Sequence, residues 1–198
     1  MKPHTRPLSR RNMIILTGTP GTGKTTISKA LAKGIHADYL SLTRFVTAKG
    51  LYTAIDRERK TKIVDIERTR RSLRSLVSKG TMILVDTHVA DSIPRERTRK
   101  VIVLRCHPRV LESRLRKKGW SGNKVRENVL AEMLDACYMV AVSYYGAKKV
   151  CQLDTSSRSL EKCVTLAKKI VLEPVSAGVT INWIATLKRE RGLERYLE

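Results

Sequence analysis

No stretch of the 198 residues approaches the roughly 20 consecutive apolar positions that a helix needs to span a bilayer. A helical membrane protein is therefore excluded, and no membrane partner is expected. The basic start, Met1 to Arg11, is not followed by a signal-peptide apolar core, because Met13–Leu16 is too short for one. A cytoplasmic location is the expectation. Cysteine is sparse as well. Cys106, Cys137, Cys151 and Cys163 form no C-x-x-C pair and no metal-ligand spacing, and each has apolar neighbours. They read as small buried hydrophobes, with a disulfide left open only for a hyperthermophilic source. Acidic residues are the third shortage: 18 Asp and Glu face 40 Lys and Arg, a net charge of +22. Such a balance repels itself within a compact monomer and attracts polyanions. The bases concentrate in residues 1–11, Arg57–Arg74 and Arg95–Lys118. RNA or a ribonucleoprotein is the natural counter-charge; a solvated basic surface is the plain alternative.

The chain has the length of one α/β domain with small insertions. Residues 18–25 read Gly-Thr-Pro-Gly-Thr-Gly-Lys-Thr, the spacing G-x-x-x-x-G-K-T of a phosphate-binding P-loop. An apolar run, Met13–Leu16, leads in, and a helix-compatible stretch from Thr25 to Lys33 leads out. Gly18, Gly21 and Gly23 let the backbone curl so that successive N–H groups point at phosphate oxygens. Pro20, Thr22 and Thr26 complete the loop. The following helix adds its positive N-terminal end to the same anion site. Lys24 is expected at the β/γ-phosphates of ATP, and the hydroxyl of Thr25 on Mg²⁺.

Apolar and amphipathic segments alternate along the chain, which predicts a parallel sheet covered by helices on both faces. Strands are expected at Met13–Thr17, Asp38–Leu42, Thr81–Val85, Lys100–Arg105 and Val150–Leu153. Ile66, Thr69, Leu73, Leu76 and Val77 recur at helical spacing, with Gly80 closing that helix. Pro108–Lys118 reads as a helix with Pro at its start, and Gly119–Asn123 as a turn. One long helix is expected to carry Val125, Val129, Met133, Cys137, Val140 and Tyr144 on a single face. Ser159–Leu172 is the last core helix. After Glu173-Pro174, Ile181, Trp183, Ile184, Leu187 and Leu193 supply enough apolar surface to pack back onto the domain.

Asp86 stands at the C-terminal end of the Thr81–Val85 strand, where open α/β sheets gather their ligands. A carboxylate there can hold Mg²⁺, or can simply cap a turn. His88, two residues on, can contact a γ-phosphate or position a water; a lone histidine can equally be structural.

The P-loop, Asp86-Thr87-His88, and the run Leu111-Glu112-Ser113-Arg114-Leu115-Arg116-Lys117-Lys118-Gly119-Trp120 together resemble the adenylate kinase isoenzyme 6 family. These are adenylate kinase-like ATPases linked to small ribosomal subunit assembly. Lys124–Val129, Ala131–Asp135, Gln152–Thr155 and Ile181-Asn182-Trp183 extend the resemblance over roughly residues 13–184. It implies a nucleoside monophosphate kinase fold on residues 1–172. An acceptor-nucleotide insertion is implied near 41–75, a short lid near 115–127, and a C-terminal extension over 173–198. Arg114 then matches the lid arginine that lies against ATP, Lys118 the second lid cation, and His88 the family histidine. Two departures concern the acceptor half. The stretch Asp86-Thr87-His88-Val89-Ala90 lacks the arginine that adenylate kinases carry after the third strand. Thr43-Arg44 and Thr47 stand where the family tends to place Gly-Asp and an arginine; Arg44, Lys49 or Arg95 are the candidate replacements.

Two functions follow. The first is a Mg²⁺-dependent transfer of phosphate from ATP to AMP, with Lys24, Asp86, His88 and Arg114 as catalytic residues. The second is an ATP-switched assembly factor that binds a small-subunit ribosomal protein and rRNA. A kinase for another small acceptor is a third, weaker reading.

Overall fold

The computed structural model describes residues 12–57, 61–76, 82–173 and 180–196. Five parallel strands form the central sheet in the order β2-β5-β1-β6-β7. They are β1 (Met13–Gly18), β2 (Asp38–Ser41), β5 (Ile83–Asp86), β6 (Thr98–Arg105) and β7 (Val150–Asp154). A two-stranded antiparallel hairpin, β3 (Tyr52–Asp56) with β4 (Thr61–Val64), stands apart from it.

β1 lies at the centre, paired with β5 on one side and β6 on the other. All six of its residues are buried, and alternate side chains feed opposite faces. Met13 and Ile15 join Val85, Val101 and Val103 on one face. Ile14 and Leu16 join Leu84, Ile102 and Leu104 on the other. A strand buried on both faces must be apolar at every position, which is why these segments read as continuous runs.

Helices α1 (Lys24–Gly34) and α7 (Leu160–Leu172) cover the second face through Ile27, Leu31, Cys163, Ala167 and Val171. The first face is covered by α2 (Leu42–Ala48), α3 (Ile66–Arg74) and α6 (Ala136–Tyr145). A third apolar cluster joins α4 (Pro108–Lys117), α5 (Gly122–Met133) and α8 (Trp183–Arg189) through Leu111, Leu115, Val125, Val129, Met133 and Leu187.

The long helix expected after residue 123 is two helices. Asp135 takes a left-handed backbone, φ +57°, and breaks the run between α5 and α6. Val125, Val129 and Met133 stay in the α4–α5–α8 cluster, whereas Cys137 and Tyr144 pack against the sheet face. Val140 is exposed. The break lets the chain pass from one packing layer to the next. The helix through Ile66 stops at Arg74, capped at its start by Asp65, whose side chain accepts from the Arg68 N–H. Val77, Gly80 and Thr81 lie outside the described residues. No helix among the described residues is long and apolar enough to cross a membrane.

Candidate functional site: a phosphate loop and an adjoining cleft

β1 delivers the loop to the C-terminal edge of the sheet, beside the end of β5. Gly18 has φ +140°, and a Cβ there would stand 2.4 Å from the Leu104 carbonyl oxygen. Gly21 has φ +95°, and its Cβ would meet the ends of Leu111 and Leu115 at 2.7 and 2.9 Å. The loop is thus held against β6 and α4 at a distance only glycine permits. Pro20 is half-buried between these glycines. Thr22 is fully buried; its hydroxyl donates to the Thr19 carbonyl at 2.9 Å, and its own carbonyl accepts from the Thr155 hydroxyl at 3.0 Å.

Gly23 is the N-cap of α1, left-handed at φ +95°, with no side-chain cap and no acidic residue in the first turn. Thr25 and Thr26 sit exposed in that turn. The first N–H groups of an 11-residue helix therefore face the loop without a competing carboxylate. Lys24 curls back, its amine donating to the carbonyls of Gly18 at 2.8 Å and Thr19 at 3.1 Å. Burial pushes its pKa down; the neighbouring Cys137, Asp86 and Glu132 oppose the shift, and the charge of Lys118 adds to it.

Asp86 ends β5 opposite Leu16 and Ser41. Its carboxylate is buried and accepts from the Thr25 hydroxyl at 2.7 Å and from the Tyr39 hydroxyl at 3.1 Å, both on Oδ2. Hydroxyl and carboxylate oxygens, with Lys24 near, form a hard-donor set of the kind Mg²⁺ takes with one or two protein ligands and substrate phosphates. The pair fits that ion. Among the described residues no cluster of three or more His, Cys, Asp or Glu suggests a fully protein-coordinated metal.

His88 follows on the surface side. Desolvation lowers its pKa first and the Lys24 charge second, with Asp86 opposing, so the ring is neutral at neutral pH. It lines a cleft of about 260 Å³ with Leu42, Thr43, Val46, Thr47, Thr61, Lys62, Val64, Thr87 and Val89. The cleft lies between α2, β4 and the segment after β5, and shares the Asp86–His88 segment with the phosphate loop. Lys62 crosses it to donate to the Thr47 hydroxyl at 3.3 Å.

Arg114, on α4, is anchored rather than free: its guanidinium donates to the carbonyls of Thr155 at 2.7 Å and Ser156 at 3.1 Å. Through Thr155 it adjoins Thr22 of the loop. Lys118 is exposed at the C-terminus of α4. Arg44 and Lys49 are exposed on α2 and at its end, with the Lys49 amine 5.5 Å from the Phe45 ring centre. The structure does not bring Arg95 to this site. It lies in the turn before β6, where the Lys149 amine donates to its carbonyl, at the opposite end of the sheet. The eight residues of β6 put the two ends roughly 26 Å apart.

Sequence reading missed Tyr39, Thr43, Thr47 and Lys62. Thr43 and Thr47 were visible as departures from the acceptor motif; Tyr39 and Lys62 carried no local signal. It also missed Thr19, Arg105, Glu132 and Trp183, which meet behind the loop.

A parallel sheet with the order 2-5-1-6-7, a glycine-bound phosphate loop after its central strand and an acidic residue ending the neighbouring strand define a P-loop kinase fold. Solved structures share it at under 20% identity. Shikimate kinase from Bacteroides thetaiotaomicron superposes with a TM-score of 0.55 and 19% identity, over 80% of this chain and 97% of that one. Shikimate kinase from Acinetobacter baumannii, in complex with shikimate, gives 0.57 and 18%, over 83% and 95%. Residues 14–135 match the AAA domain family AAA_18. A protein named "Putative adenylate kinase" from Methanocaldococcus jannaschii is 35% identical over 170 residues, 86% of this chain and 92% of its own. One of the same name from Saccharolobus islandicus is 34% identical over 182 residues, 92% of each. The chain belongs to this adenylate kinase family.

Proposed function

We propose that the protein is a Mg²⁺-dependent adenylate kinase of the isoenzyme 6 kind, converting ATP and AMP into two ADP, with ATPase activity as well. The observation that carries the reading is the adjacency of two clefts across Asp86 and His88, one anion-binding and one bounded by hydroxyls and Lys62. A donor nucleotide in the first and an acceptor in the second present their phosphates to each other.

In this reading an oxygen of the AMP phosphate attacks the γ-phosphorus, and the bond from that phosphorus to the β–γ bridging oxygen breaks, leaving ADP on both sides. The loop amides and Lys24 take up charge on the β- and γ-phosphate oxygens, for which Lys24 exchanges its two carbonyl partners. Thr25 and Asp86 hold Mg²⁺, which when bound neutralises phosphate charge. Arg114 braces the 155–156 loop beside the donor site, and Lys118 reaches the phosphates when the segment near 115–127 closes as a lid. The insertion near 41–75 forms the acceptor side, with Lys62 in the cleft and Arg44 and Lys49 at its margin. Residues 1–172 form the kinase domain, and 173–198 its extension. Catalysis is positioning and charge stabilisation, without need of a strong base.

A second reading is an ATP-driven switch in small ribosomal subunit assembly, with rRNA and a ribosomal protein as partners and His88 orienting the attacking water. No arginine lines the cleft among its described residues, and the chain carries +22.

Product analysis with Mg²⁺-ATP, with and without AMP, separates the two. Rapid AMP-dependent formation of two ADP, lost by at least about 10²-fold in Lys24→Ala, is the expected result. Slow phosphate release that AMP does not divert would replace the kinase reading with the switch.

A further inference from the structure

Glu132 is the most fully employed carboxylate of the described residues. It lies near the end of α5, 2% exposed, and four donors converge on it. Oε2 accepts from the Thr19 hydroxyl at 2.6 Å. Oε1 accepts from Arg105 Nε at 2.7 Å, the Cys106 N–H at 3.1 Å and the Trp183 indole N–H at 2.9 Å. Arg105, 1% exposed, also pairs with Asp135 and Gln152. One carboxylate therefore joins the phosphate loop, the end of β6 and the C-terminal helix.

Arg105 and the Cys106 N–H would suffice to satisfy Glu132 as a structural carboxylate. The other two donors come from elements with other tasks. Thr19 is the second residue of the loop, and its carbonyl is the shared acceptor of Lys24 Nζ, the Thr22 N–H and the Thr22 hydroxyl. Tilting Thr19 moves the peptide that Lys24 rests on and that orders the following turn. Trp183 opens α8, which is docked by buried Leu187, by an edge-to-face contact of Trp183 with His107 at 5.4 Å, and by His107 with Glu190 at 3.1 Å.

We propose that Glu132 is a positioning residue for the phosphate loop, and that through Trp183 the docking of the C-terminal helix sets how tightly the loop holds a nucleotide. The inference rests on the loop being the nucleotide site and adds a control over it. A partner or modification that lifts α8 withdraws the indole N–H, shifts the carboxylate toward Arg105 and slackens the hold on Thr19. Coupling of this kind is a chain of hydrogen bonds in a dry environment, where loss of one donor is felt by the rest.

The test is calorimetric titration of Mg²⁺-ADP into the full chain, its Thr19→Val and Trp183→Phe variants, and the double variant. Each single change is expected to weaken binding about three- to tenfold, and the double change no more than the larger single one. Independent, multiplying effects, or unchanged affinity in variants that melt earlier, would overturn the proposal and leave Glu132 a structural residue. A second readout needs no disturbance of the cluster. The Trp183 indole ¹⁵N–¹H resonance of the unaltered chain, identified by its loss in Trp183→Phe or, if that variant does not fold, by exclusion with Trp120→Phe, is expected to shift on ADP saturation. An unmoved resonance sinks the coupling. Failure of the unaltered chain to bind ADP would instead remove the nucleotide reading beneath it.

Discussion

Gly18 and Gly21 are both left-handed, yet the atoms that oppose a side chain differ. At Gly18 the obstacle is the backbone carbonyl of Leu104, which belongs to a strand hydrogen-bonded to β1 from Met13 to Gly18. Neither strand can withdraw without opening the ladder. At Gly21 the obstacles are methyl ends of Leu111 and Leu115, which can change rotamer. Gly18→Ala is therefore expected to lose about 3 kcal/mol or more in urea unfolding, and Gly21→Ala about 1–2 kcal/mol, mostly from its backbone angle. Equal losses would mean that backbone angle alone, and not the approach to β6, makes glycine necessary at the start of the loop. The same contrast explains why the loop is legible in sequence at all. Its requirements are local, so they are met by residues within eight positions of one another.

At the scale of elements, the break between α5 and α6 shows where local reading ends. The apolar spacing from Val125 to Tyr144 continues through Leu134 and Asp135, but Asp135 turns left-handed and pairs with Arg105, thirty positions earlier in the chain. Nothing within a helical window announces that partner. Asp135→Ala removes the ion pair and keeps a Cβ at φ +57°; Asp135→Gly removes the same pair and relieves the backbone. Alanine is expected to cost about 1 kcal/mol more than glycine in thermal or urea unfolding. A reversed order would show that helix propensity, not the left-handed turn, governs this junction. The sheet was legible because its central strands are buried on both faces and so are apolar throughout. The β3–β4 hairpin was not, because Thr53, Ala54, Ile55 and Ile63 face solvent and leave no alternation to read. The cleft beside His88 and the cluster around Glu132 are assembled from distant segments. Only Thr43 and Thr47, as departures from a motif, hinted at the former.

For the molecule as a whole, a charge of +22 has to be accommodated. A little of it is used internally: Arg105 is neutralised in the core, and Lys100 is buried with its amine on the carbonyls of Ile170 and Glu173. Most is displayed. Arg68, Arg71 and Arg74 are exposed on α3, and Arg109, Arg116, Lys117 and Lys118 on and just after α4. Only part of this set has carboxylate partners, as Arg74 has Glu96 and Arg116 has Glu112. Two consequences of the same field run in opposite directions with salt. Self-repulsion is screened, so the unfolding midpoint is expected to rise between about 50 and 300 mM salt. Attraction to single-stranded rRNA fragments is screened as well, through release of their condensed counter-ions. With about five phosphates contacted, affinity followed by fluorescence anisotropy is expected to fall about 500-fold over that range, a slope near −0.7 per phosphate. A steep fall counts the contacts directly, and substitution of the α4 bases then lowers the slope by their number. Affinity that salt leaves untouched would mean that the positive surface is only solvated, and the assembly reading would lose the observation that favours it while the kinase reading stood unchanged.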